Sequence, residues 1–119
     1  MANKNNVVQA IIESIENNIE DVEIRTNLVE GFNNPDKIIH KGKPEKGFTP
    51  DVMLFKESAI DLFEVELNEE FQPDKWRLFS LFSKQQKGKF TIVTPKDNLP
   101  DLKKALKENY INATVLYYT

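Results

Sequence analysis

The hydrophobic positions follow a helical period first and a strand period next. Val8, Ile11, Ile12, Ile15 and Ile19 recur at offsets of three, four, seven and eleven, which predicts an amphipathic helix over residues 5–20. Asp21 to Val29 then alternates, with Val22, Ile24 and Leu28 inward and Glu23 and Arg25 outward, a half-buried strand ending near Gly31. From Gly31 to Gly47 the pattern breaks into FNNPDKIIHKGKPEKG, a stretch of turn residues that reads as a loop. Next come two apolar runs, Asp51–Lys56 and Ala59–Glu66, joined by Glu57-Ser58. Their hydrophobes (Val52, Met53, Leu54, Phe55, then Ile60, Leu62, Phe63, Val65 and Leu67) suit hairpin strands buried on both faces.

A helix is expected to start across Asn68-Glu69-Glu70-Phe71-Gln72-Pro73-Asp74 and to reach about Lys84 or Gln86, with Trp76, Leu78, Phe79, Leu81 and Phe82 along it. Gly88 ends it, Lys89–Thr94 forms a β-branched strand, and Pro95 closes that strand. A last helix runs from Leu99 through Leu102, Ala105, Leu106 and Tyr110, and Ala113–Tyr118 supplies a final strand. The order α-β-β-β-α-β, then α-β, implies an α/β fold with a mixed sheet and helices on both faces. At 119 residues the chain reads as a single domain, 1–119.

The hairpin carries acids where apolar residues are expected. With Glu57 and Ser58 as a two-residue turn, Asp51 lies directly across from Glu64, their β-carbons ~4.5–5.5 Å apart. Glu66 projects from the same face as Glu64, because side chains alternate along a strand. Facing carboxylates in a partly dry setting require either a proton or a cation between them. The other reading is an edge open to solvent, where the acids only keep the hairpin soluble; a one-residue slip of register would also separate Asp51 from Glu64. Lys75 precedes Leu78, Phe79 and Phe82 by three, four and seven residues and so shares their apolar stripe. Its amine either reaches over the acids or only covers apolar surface with its stem.

Composition narrows the chemistry. The net charge of −3 argues against a protein that coats nucleic acid by bulk positive charge. It is compatible with a nuclease, whose metal-binding acids sit where phosphate must approach. No cysteine is present, which removes disulfides and thiolate metal sites and makes a reducing cytoplasm the expected location. No apolar run is long enough to span a bilayer, and the N-terminus has no signal-peptide pattern, so no membrane association is expected. Lys37, Lys41, Lys43 and Lys46 crowd the loop before the hairpin, either as a phosphate-contacting arm or as a solvated loop. His40 is the single histidine and cannot define a metal site alone.

Pro50-Asp51, twelve residues, then Glu64-Val65-Glu66 resembles the PD-(D/E)xK signature of the restriction-endonuclease-like nucleases. The resemblance covers roughly three quarters of the chain. It implies a restriction-endonuclease-like αβββαβ core with a mixed central sheet flanked by helices, here with a C-terminal αβ extension. It also implies that Asp51, Glu64 and the backbone carbonyl of Val65 hold one Mg²⁺ or Mn²⁺ for phosphodiester hydrolysis of nucleic acid, DNA being the expected substrate. Glu66 stands where the family usually has lysine. Some members carry glutamate there and others move the lysine to the following helix, for which Lys75 is the natural candidate. Glu66 or Lys75 would orient the attacking water or stabilise developing charge. Glu16 is a further candidate for a water-mediated contact, and Lys84 and Lys87 for phosphate contacts. The departure at Glu66 leaves a second reading, a catalytically inactive nuclease-fold domain that binds nucleic acid or protein. A domain this small would need help to embrace a duplex, which leaves a homodimer open.

Overall fold

The central hairpin closes through Lys56 N–H, which donates to the Ala59 carbonyl over 2.8 Å, leaving Glu57 and Ser58 as its turn. The computed structural model describes residues 3–68 and 70–119. In chain order these form α1 (Lys4–Asn18), β1 (Glu23–Arg25), β2 (Ile38–His40), β3 (Lys43–Phe48), β4 (Val52–Phe55) and β5 (Ile60–Val65). There follow α2 (Pro73–Gln85), β6 (Phe90–Pro95), a 3₁₀ turn (Lys96–Asn98), α3 (Leu99–Glu108) and β7 (Thr114–Tyr118).

Five strands make one mixed sheet in the order β1-β4-β5-β6-β7. The β1–β4 and β4–β5 pairs are antiparallel, and β5–β6 and β6–β7 are parallel. Val52 pairs with Phe63 and Phe55 with Ile60. One more step in that register sets Asp51 opposite Glu64, as the two-residue turn requires.

Alternation divides the hairpin's hydrophobes between two cores, which is why its sequence is apolar without a break. Val52, Leu54 and Val65 pack with Val8, Ile12 and Ile15 of α1. Met53 and Leu62 pack with Trp76 and Phe79 of α2 and Leu102 and Leu106 of α3. The chain is therefore a mixed α/β fold, one helix on one face of the sheet and two on the other. The turn after α2 lies hard against β5: a Cβ on Gly88 would collide with the Ile60 carbonyl. Among the described residues no helix is long and apolar enough to cross a membrane.

Three expectations need correction. The first strand is only Glu23–Arg25, because the chain turns away at Thr26, whose buried hydroxyl donates to the Asp51 carbonyl at 2.7 Å and accepts from Leu28 N–H at 3.2 Å. The second helix begins at Pro73. Of the acids expected in its first turn only Asp74 is there; Glu70 precedes the helix and Glu69 lies outside the described residues. The lysine-rich stretch is not a free loop. It holds the antiparallel β2–β3 hairpin, a two-stranded sheet of its own, anchored by Ile38 in the core beside Trp76 and Phe79. Gly47 permits that pairing, since a Cβ there would meet the Ile38 carbonyl at 2.9 Å.

Candidate active site

Asp51 is the last residue before β4, and its backbone N–H donates to Glu64 Oε1 at 2.8 Å. The Val65 N–H in turn donates to Asp51 Oδ2 at 2.8 Å. Each carboxylate is therefore fixed by the other residue's strand. In an extended strand a residue's N–H and C=O face the same edge, so the Val65 carbonyl shares the side on which Asp51 lies.

Glu66 follows β5 on the same face as Glu64. Lys75, in the first turn of α2, bridges the two, with Nζ 2.9 Å from Glu64 Oε2 and 3.2 Å from Glu66 Oε1. Phe79, one turn further along α2, is fully buried and fixes the helix phase that directs Lys75 inward. Trp76 Nε1 donates to Glu66 Oε1 at 3.4 Å. Asp51, Glu64, Glu66 and Lys75 thus converge at one end of the sheet, below the start of α2. The Glu64 side chain is 2% exposed.

Burial and the neighbouring Asp51 charge raise the Glu64 pKa to about 7, against the opposing pull of Lys75. Burial pulls the Lys75 amine down, but the charges of Glu64 and Glu66 and the hydrogen bonds to them outweigh it, so its pKa is raised. Lys75 is a cation, not a base.

Lys4 was not singled out by sequence reasoning. Its Nζ lies 3.2 Å from Asp51 Oδ2. The signal was present: Lys4 stands one turn before Val8, on the same apolar stripe. Thr26 and Trp76 carried no such mark, because their roles depend on tertiary contacts.

Other candidates lie elsewhere. Glu16 lines a surface pocket with Glu20, Asp21 and Phe32. It stands twelve residues along α1 from Lys4, about 18 Å of helix, and is not part of this site. Lys84 and Lys87 border a groove with Gly88 and Asn112 at the other end of α2, Lys84 about 14 Å of helix from Lys75 and Lys87 beyond the helix end. The four lysines of the β2–β3 hairpin are divided between its flanks. Lys43 and Lys46 face a cleft shared with Asp74 and Arg77, next to Lys75. Lys37 and Lys41 face a groove shared with Gln85 and Gln86, towards the far end of α2.

Among the described residues no three His, Cys, Asp or Glu side chains form a ready metal cage. All three acids already face an amine, Glu64 and Glu66 that of Lys75 and Asp51 that of Lys4, and of the three Asp51 and Glu64 face each other. Two carboxylates with a strand carbonyl nearby still fit a small hard cation, which takes one or two protein carboxylates and completes its shell with water and phosphate. Comparison with protein-family models, curated proteins and solved structures returned no match.

Proposed function

We propose that this protein is a metal-dependent phosphodiesterase that cleaves the nucleic-acid backbone, built on a restriction-endonuclease-like core. With the β2–β3 hairpin set aside, the elements run α1, β1, β4, β5, α2, β6 and then α3, β7, the αβββαβ order of that fold followed by an αβ extension. The observation that carries the reading is the interlocked Asp51–Glu64 pair with the Lys75 amine 2.9 Å from Glu64.

Asp51 and Glu64 would hold one Mg²⁺ or Mn²⁺, with the Val65 carbonyl as third protein ligand. The ion would supply charge stabilisation at a phosphoryl oxygen and a water acidic enough to attack near neutral pH. The remaining work falls to the chain. The amide bonds from Asp51 and Val65 orient both carboxylates before any ligand arrives. Lys75, held protonated, stabilises negative charge developing on the phosphate. Glu66, aimed by Trp76 and Lys75, accepts a proton from the attacking water or orients it. Plasmid and branched DNA incubated with Mn²⁺ should be nicked by the wild type and left intact by Glu64→Gln. Metal binding without nicking in any of these substrates would contradict catalysis.

One feature favours a second reading, a silent nucleic-acid-binding module. Lys75 already partners both Glu64 and Glu66, and an internal cation of this kind can neutralise a site that no longer takes metal.

A further inference from the structure

Between the β2–β3 hairpin and α2 lies a cleft of about 200 Å³. Its apolar lining is Phe48, Leu78 and Leu81, the first two half-buried against the core, and its cationic lining is His40, Lys43, Lys46 and Arg77. Leu81 is 54% exposed and so presents apolar surface to whatever enters. Among the described side chains the one acid in the lining, Asp74, is tied to Arg77 Nη1 at 3.2 Å. Arg77 also donates to the Asn109 carbonyl at 3.3 Å, which fixes its guanidinium plane. His40 Nδ1 donates to the Lys41 carbonyl at 2.8 Å, which orients the ring. The cleft therefore combines an apolar and a cationic lining.

Two of its lining residues are close along the chain to the site described above. Asp74 precedes Lys75, and Phe48 stands three residues before Asp51, within about 11 Å of chain. A nucleic-acid strand whose phosphate sat at Asp51 and Glu64 would bring its neighbouring nucleotide here.

We infer that this cleft binds an unpaired nucleobase, Phe48 stacking on its face while Lys43 and Lys46 hold the flanking phosphates, and that the substrate is single-stranded or locally opened nucleic acid. The inference takes its location of the scissile phosphate from the phosphodiesterase reading. A paired duplex hides the faces of its bases and offers only phosphates, which would leave Leu81 and the cleft-facing sides of Phe48 and Leu78, whose other sides pack on the core, uncovered. An unpaired base supplies the flat apolar face, and its backbone supplies the negative charge. Aromatic platforms inside cationic grooves are the general means of holding single strands.

The test uses the whole protein in EDTA, so that cleavage plays no part. A short DNA strand with a central 2-aminopurine, and the same strand annealed to its complement, are titrated by anisotropy and fluorescence. We expect the single strand to bind about ten-fold more tightly than the duplex, with 2-aminopurine fluorescence rising on binding as the base leaves the stack of its neighbours for the phenyl ring. Phe48→Leu, which keeps the lining apolar, should weaken single-strand binding by about five-fold or more and diminish the rise. Lys43→Gln with Lys46→Gln should lower the log–log salt slope by ~1.4, at ~0.7 for each phosphate that a lysine no longer neutralises. Equal or tighter duplex binding overturns the inference. So does an unchanged probe on the wild type, a result that stands even if Phe48→Leu does not fold. Metal-dependent nicking without single-strand preference would sink the cleft and spare the nuclease reading. Single-strand preference and a fluorescence rise without any metal response would do the reverse.

Discussion

Asp51 and Glu64 hold each other through main-chain amides: Asp51 N–H donates to Glu64 Oε1, and Val65 N–H donates to Asp51 Oδ2, both over 2.8 Å. The arrangement separates what Asp51 does for folding from what it does for ligand binding. Asp51→Asn retains an oxygen for the Val65 N–H and removes one of two facing charges, so it should fold with little loss. Asp51→Ala leaves that N–H buried without a partner and should cost about 1–3 kcal/mol in denaturant titrations. Both variants should lose stabilisation by Mn²⁺. Equal stability of the two variants would show that the amide hydrogen bond contributes nothing.

The raised Glu64 pKa gives a signed pH dependence. Between the ordinary value of 4.5 and about 7 the folded state carries a proton that the unfolded chain has released. The metal-free protein therefore has this contribution in full below about pH 4.5 and loses it as pH rises through about 7. The loss is on the order of 3 kcal/mol in this direction. Thermal melts from pH 5 to 8 should show a fall in wild-type Tm that is absent from Glu64→Gln, and Mn²⁺ should raise Tm more at pH 8 than at pH 5. Parallel Tm profiles for the two proteins would contradict the burial argument.

Lys4 and a metal would compete for Asp51, since Lys4 Nζ lies 3.2 Å from Asp51 Oδ2. Its side chain is partly exposed, so the competition is weak. Lys4→Met should tighten Mn²⁺ binding by up to about five-fold in calorimetry. Weaker binding would mean that Lys4 positions Asp51 instead of opposing the metal.

Lys75 is the counter-charge for two buried acids. Lys75→Met should destabilise the metal-free protein by about 3 kcal/mol, because Glu64 and Glu66 remain buried without it. Mn²⁺ should recover part of that loss. A change well under 1 kcal/mol in urea titrations would show that Lys75 only covers apolar surface.

The parts legible in the sequence are those set by short-range periodicity. A two-residue turn and strict alternation fix the β4–β5 register, and with it the pairing of Asp51 with Glu64. The apolar stripe of α2 fixes the direction of Lys75. Periodicity gives direction around a helix axis but not height along it, which is why Glu16, Lys84 and Lys87 lay outside the site. Lys4 shared its stripe with Val8, but nothing local indicates that the start of α1 meets the end of β4. The β2–β3 hairpin was hidden because its lysines and turn residues carry the local signal of a loop. Its anchors are Ile38 and the half-buried Phe48, whose packing depends on a core that α2, later in the chain, completes.

The central claim is that the Asp51–Glu64 pair holds a divalent cation, and calorimetric titration of the wild type, Asp51→Asn and Glu64→Gln with Mn²⁺ at pH 8 tests it most directly. The account predicts one saturable site in the wild type and none in either variant. Absence of binding by the wild type, or unchanged binding by the variants, would contradict it.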